Sequence, residues 1–131
     1  GLTSSMLTDV PGSSEYLMGS VVSYSNMAKH KVLGVKQESL DKYDAVSDVV
    51  AKEMAEGVRK LFNTTLGVSI TGIAGPGGGT AEKPVGLVYV AVSSAKSTTV
   101  KEYRFKASRS TIKLRSAMRA LSMAMDKLEE L

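Results

Sequence analysis

The strongest constraint in the sequence is the stretch from Val68 to Val92, where two apolar, β-branched runs enclose a loop with five glycines and two prolines. Such a pattern reads as a buried strand entering a backbone-rich loop and a second buried strand leaving it. Gly75, Gly77, Gly78 and Gly79 lack side chains, so successive backbone N–H groups can converge on an anion or an oxyanion; a mobile surface loop is the structural alternative. Neither common phosphate loop fits. A Walker A loop ends in Gly-Lys-Ser/Thr before a helix, whereas Gly79 is followed by Thr80 and then by the apolar run Val85 to Val92. A dinucleotide fingerprint opening at Gly75-Pro76-Gly77 has Thr80 where its last glycine belongs, and no helix follows to hold a pyrophosphate.

The flanking segments supply helices and two further strands. Leu2, Met6, Leu7 and Val10 have helical spacing that ends at Pro11-Gly12, and because this helix begins without a cap the chain reads as the remainder of a longer one. Leu17 to Tyr24 reads as a strand, and Asn26 as the cap of a short helix from Met27 to Leu33 that Gly34 ends. Glu38 to Tyr43 is a short helix or turn. Ser47 caps an amphipathic helix from Asp48 to about Phe62, with Val50, Met54, Val58 and Leu61 on one face. Thr98 to Phe105 is a charged strand suited to a sheet edge. Ser108 or Ser110 caps a last helix expected to turn Leu114, Ala117, Leu121, Ala124, Met125 and Leu128 inward. Alternating strands and helices predict a single α/β domain over residues 1–131, a three-layer α/β/α sandwich around a central mixed sheet in which Val68–Ile73 and Val85–Val92 are central neighbours.

The 131 residues suffice for one core, and 43% hydrophobic with 23% charged residues is the balance of an ordinary globular domain. No apolar run reaches the ~20 residues of a membrane span, so no membrane partner and a cytoplasmic location are expected. Absence of cysteine excludes disulfides, thiolate metal sites and a cysteine nucleophile within these residues. The net charge of +4 gathers only between Lys101 and Arg119, without an aromatic ladder for base stacking, so no nucleic-acid partner is expected. His30, the sole histidine, reads as an exposed helix residue, and no spacing suits a metal or calls for a cofactor.

Short nucleophile motifs are uninformative: Ser-x-x-Lys occurs at Ser39/Lys42, Ser93/Lys96 and Ser110/Lys113, which is the frequency of chance. Strand ends are more telling. Tyr24 and Lys29 follow the first strand, Ser13 and Ser14 precede it, Thr71 ends the Val68 run and Arg109 opens the last helix. A lysine serves as a general base when burial or a nearby cation lowers its pKa; a surface lysine beside a half-buried tyrosine is the plain structural reading of the same residues.

At these positions the sequence resembles the C-terminal domain of the competence-damage-inducible CinA family. The matching motifs are Thr8-Asp9-Val10-Pro11-Gly12-Ser13-Ser14, Tyr24-Ser25-Asn26-x-Ala28-Lys29, Thr71-Gly72-Ile73-Ala74-Gly75-Pro76-Gly77-Gly78 and Glu82-Lys83-Pro84-Val85-Gly86. The resemblance implies metal-independent nicotinamide-nucleotide amidohydrolase activity, in which nicotinamide mononucleotide and water give nicotinic acid mononucleotide and ammonia. By position, it implies Lys29 as general base with Tyr24 as its hydrogen-bonding partner. Ser14 and Thr71 become polar contacts, Arg109 a holder of the nucleotide, and Gly72, Gly75 and Gly77 part of the pocket wall. The family's Glu-Ser-Cys-Thr-Gly segment, which carries the nucleophilic serine, would lie just upstream of Gly1 together with a strand and a helix. This chain lacks all three. A homo-oligomer is expected, its number of subunits open, and a catalytically silent nucleotide-binding or assembly domain is the competing reading.

Overall fold

The computed structural model describes residues 1–131. Helix α1 (Leu2–Thr8) ends at the Pro11-Gly12 turn, where Gly12 takes the left-handed φ of 89° that the turn requires, and a single 3-10 turn (Ser13–Glu15) follows. Helix α2 (Asn26–Leu33) is capped by Ser25, whose Oγ accepts from the Ala28 N–H at 3.1 Å, and is closed by Gly34 in the left-handed region. The cap therefore falls one residue earlier than Asn26. Helix α3 (Gln37–Tyr43) leads to α4 (Asp48–Phe62), which Ser47 caps as its sequence pattern indicates.

Strands β1 (Gly67–Gly72), β2 (Leu87–Ser93) and β3 (Thr98–Arg104) form a sheet of order β1-β2-β3 before α5 (Arg109–Glu129) closes the chain. Both pairings are antiparallel, with Ile70 opposite Val90 and Val90 opposite Lys101. Period-two alternation sends the two faces of β2 to different helices. Val88, Val90 and Val92, with Val68 and Ile70, pack on Ile112, Ala120 and Met123 of α5, while Ala91 meets Ala51 and Ala55 of α4. A further cluster of Leu33, Val35, Leu40, Val50 and Met54 joins α2, α3 and α4. The result is the expected single α/β domain with helices on both faces of the sheet.

Three expectations need correction. The paired strands are all antiparallel rather than mixed, and β1 is an edge strand; only β2 is central. Leu17 to Tyr24 is not a strand of this sheet: residues 18–24 make no backbone–backbone hydrogen bond, so their β-like composition has no ladder to join. In α5 the inward face is Ile112, Ser116, Ala117, Ala120, Met123 and Lys127, so Ala117 faces inward as expected, whereas Leu114, Met125 and Leu128 are exposed. Small residues on the sheet side let the helix approach β2 closely, and the larger apolar residues take other faces.

Candidate active site

Lys29 is the best-defined element of the site. It lies in α2 four residues before Leu33, so the two share a face that packs toward α4, and Lys29 is only 7% exposed. Its Nζ donates to the carbonyl of Ser23 at 2.7 Å, the one hydrogen bond the amine makes. Burial pushes its pKa below the ordinary value of 10.5. No carboxylate pairs with it and no side-chain hydroxyl hydrogen-bonds to it.

The amine opens on a cavity of about 1170 Å³ between residues 17–24, the free edge of β1 and one flank of α5. Tyr24, Thr71, Gly72 and Arg109 line the same cavity. Thr71 is buried and its Oγ1 donates to the Ala45 carbonyl at 2.8 Å, leaving the hydroxyl's lone pairs as acceptors. Gly72 must be glycine: a Cβ there would stand 2.7 Å from Val88 Cγ2 and 2.9 Å from the Leu87 carbonyl. Arg109, the first residue of α5, donates through Nη1 to the Gly75 carbonyl at 2.8 Å and keeps further N–H groups free.

Other candidate residues fall elsewhere. Tyr24 is 85% exposed and makes no hydrogen bond to Lys29, whose partner is a main-chain carbonyl instead. Ser14 is exposed in the 3-10 turn and does not line the cavity; neither do Gly75 and Gly77. Gly75 reaches the site only through the Arg109 contact. The glycine loop borders a separate, shallower cleft of about 610 Å³ with Asp44, Ala45 and Val46. It is tied down at both ends, by Arg109 on Gly75 and by Lys83, whose Nζ donates to the Tyr43 carbonyl and lies 3.6 Å from the Asp44 carboxylate. Within it, the Thr80 N–H is bonded to the Lys83 carbonyl and so is not available to an anion.

Sequence reasoning missed the Ser23 carbonyl and the cavity position of Lys113, a residue that the sequence shows only within a chance Ser-x-x-Lys match. The i, i+4 relation of Lys29 to Leu33 was the available signal for burial of the amine. His30 bonds through Nδ1 to the Val35 carbonyl at 2.7 Å, a structural role. No group of three or more His, Cys, Asp and Glu residues is placed to hold a metal, and no helix is long and apolar enough to cross a membrane.

Fold and cavity together define an α/β domain with a buried amine, met by one main-chain carbonyl, facing a cavity lined mostly by apolar residues. The CinA C-terminal domain model matches residues 1–128, and the chain belongs to that family. It is 52% identical over 123 residues to a CinA-like protein of Syntrophomonas wolfei, an alignment covering 94% of this chain and 30% of that protein. The chain thus spans about 30% of the length of such curated relatives. Among solved structures, competence/damage inducible protein CihA of Agrobacterium tumefaciens superposes with a TM-score of 0.94 at 40% identity, covering 96% of this chain and 78% of that one. The competence damage-inducible protein A of Klebsiella pneumoniae gives 0.93 at 29% identity, over 98% of this chain and 80% of its own.

Proposed function

We propose that this domain contributes the general base to an amidohydrolase that converts nicotinamide mononucleotide and water to nicotinic acid mononucleotide and ammonia, in cytoplasmic pyridine-nucleotide recycling. The observation that carries this reading is Lys29, a buried amine whose pKa is lowered by desolvation and which opens on the cavity. The lowered pKa favours the neutral form of the amine, which can take a proton from a serine hydroxyl as the oxygen attacks the carboxamide carbon. It then returns that proton to the departing nitrogen, so that ammonia leaves and an acyl-enzyme remains. Water repeats the sequence and frees the acid. The serine is proposed to come from an upstream segment that lies against the free edge of β1, a placement supported by the cavity there and by the greater length of the solved relatives. Arg109 is the cation suited to the nucleotide phosphate, Thr71 and Gly72 form the wall beside the amine, and Tyr24 stands at the rim.

A catalytically silent nucleotide-binding domain is the second reading, favoured by the Lys29 amine having a main-chain carbonyl as its sole hydrogen-bond partner. Ammonia release from nicotinamide mononucleotide separates the two. The 131-residue chain should release none, the protein extended upstream through the serine segment should, and Lys29→Ala in the longer form should abolish turnover. Nucleotide binding without turnover by the extended protein would establish the silent reading.

A further inference from the structure

Lys29 and Lys127 are both buried, and of the two only Lys29 lines a cavity. We propose that Lys29 is a covalent binding site for phosphate-bearing aldehydes, its amine condensing with the aldehyde carbon while Arg109 and Lys113 hold the phosphate. The cavity, about 1170 Å³, has room for a small molecule of that kind. Glu15 is the only carboxylate on its wall, against the cations of Arg109 and Lys113. These two stand four residues apart on α5, which puts them on one flank of the helix a turn apart, and neither takes part in an ion pair within the chain. Two unpaired cations at that spacing match a phosphate dianion.

An amine adds to a carbonyl only through a free lone pair. The Lys29 Nζ makes one hydrogen bond, as donor to the Ser23 carbonyl at 2.7 Å, and desolvation favours its neutral form. Its lone pair forms the C–N bond as the π pair of the aldehyde moves to oxygen. One amine proton passes to that oxygen to give a carbinolamine; the C–O bond then breaks, a second proton leaves nitrogen, and water departs as C=N forms. No oxidant or further reactant enters. Protonated from solvent, the imine keeps one N–H, enough for the Ser23 carbonyl, so the bond that positions the amine survives condensation. Lys127 would instead give up contacts with the Thr99 and Ser97 hydroxyls. The chemistry needs the amine and the cavity but no serine, so it stands independently of the amidohydrolase reading.

Pyridoxal phosphate as probe, with pyridoxal for comparison, tests the assignment on the 131-residue chain. Borohydride reduces the imine to a stable secondary amine, and peptide mass mapping locates it. At limiting aldehyde, Lys29 should carry the label ahead of Lys113 and of every exposed amine, with Lys127 unlabelled. The imine's visible absorbance gives the preference for pyridoxal phosphate over pyridoxal. Because pyridoxal closes on itself as a hemiacetal, the contribution of the two cations is read as the change in that preference between the parent chain and Arg109→Gln combined with Lys113→Gln, a fall of about tenfold. Lys29→Met, shown to be folded by circular dichroism, should lose the site-specific imine, and mapping of the parent chain decides the assignment without any variant. Label on Lys113 or exposed amines in place of Lys29, or an unchanged preference in the double variant, would overturn the proposal.

Discussion

Gly57 sits where α4 crosses the end of α2, and its replacement by alanine is a test in which two effects oppose each other. In an open helix the substitution stabilises by about 1 kcal/mol, since glycine has the greater conformational entropy to lose. Here the new Cβ would stand 1.8 Å from the carbonyl oxygen of Leu33 and 2.8 Å from its carbonyl carbon. Both are backbone atoms, which cannot rotate away as a side-chain tip can. The helices must separate by roughly 1 Å before the contact reaches even a tight limit, and the separation loosens Leu33, Val50 and Met54 together. Overpacking costs about 1 to 3 kcal/mol, and a backbone clash belongs at the upper end of that range. The net expectation is a loss near 2 kcal/mol, which for a domain of this size lowers Tm by about 7 °C. Urea and thermal denaturation of Gly57→Ala measure it directly. An unchanged or raised Tm would show that α2 and α4 are not in the contact described, and with them the placement of Lys29.

Two further outcomes follow from the perturbed titrations. The depressed pKa of Lys29 means that the folded state binds fewer protons than the unfolded one below pH 10.5, so this residue makes stability rise as pH climbs toward that value. Urea titrations from about pH 7 to about pH 10 should show that rise in the parent chain and a flatter profile in Lys29→Met; matching profiles would place the amine in solvent. Tyr89 is pushed up to about 12, first by burial and then by its 2.8 Å hydrogen bond to Glu102. Glu102→Gln should bring the phenol partway back toward 10.0 by ultraviolet titration, with burial keeping it above that value, and an unmoved titration would refute the bond. Because the raised pKa favours the neutral phenol, its stabilising effect is full below 10.0 and is lost as pH rises toward about 12.

Much of the fold was legible because its signals are local. Ser47 and the apolar spacing behind it define α4, and two β-branched runs around a glycine loop define β1 and β2. The errors concern relations between distant segments. Residues 18–24 have the composition of a strand, yet a strand needs a partner edge, and composition does not say where that edge is. In α5 two apolar stripes share one helix. Periodicity detects both, but the choice of core face depends on how closely β2 approaches, which the small side chains of Ser116, Ala117 and Ala120 decide.

The candidate site was legible only in part, and the two buried lysines show why. Lys127 is as deeply buried as Lys29, but its Nζ donates to Thr99 Oγ1 at 2.6 Å and to Ser97 Oγ at 3.1 Å, and it lies 3.4 Å from a Glu130 carboxylate oxygen. Those oxygens replace the water that the buried side chain gives up, and through them Lys127 pins the end of α5 to the β2–β3 hairpin. Lys29 has one carbonyl and no carboxylate, so nothing comparable offsets its desolvation and the neutral amine gains ground. Sequence spacing places each lysine on a helix face and shows Glu130 three residues beyond Lys127, but not the Thr99 and Ser97 hydroxyls about 30 positions away or the main-chain carbonyl that meets Lys29. A lysine that only filled space would be expected to have its charge met, as Lys127 does. The poorly met charge of Lys29, beside a cavity, is the observation that supports its proposed role as a base.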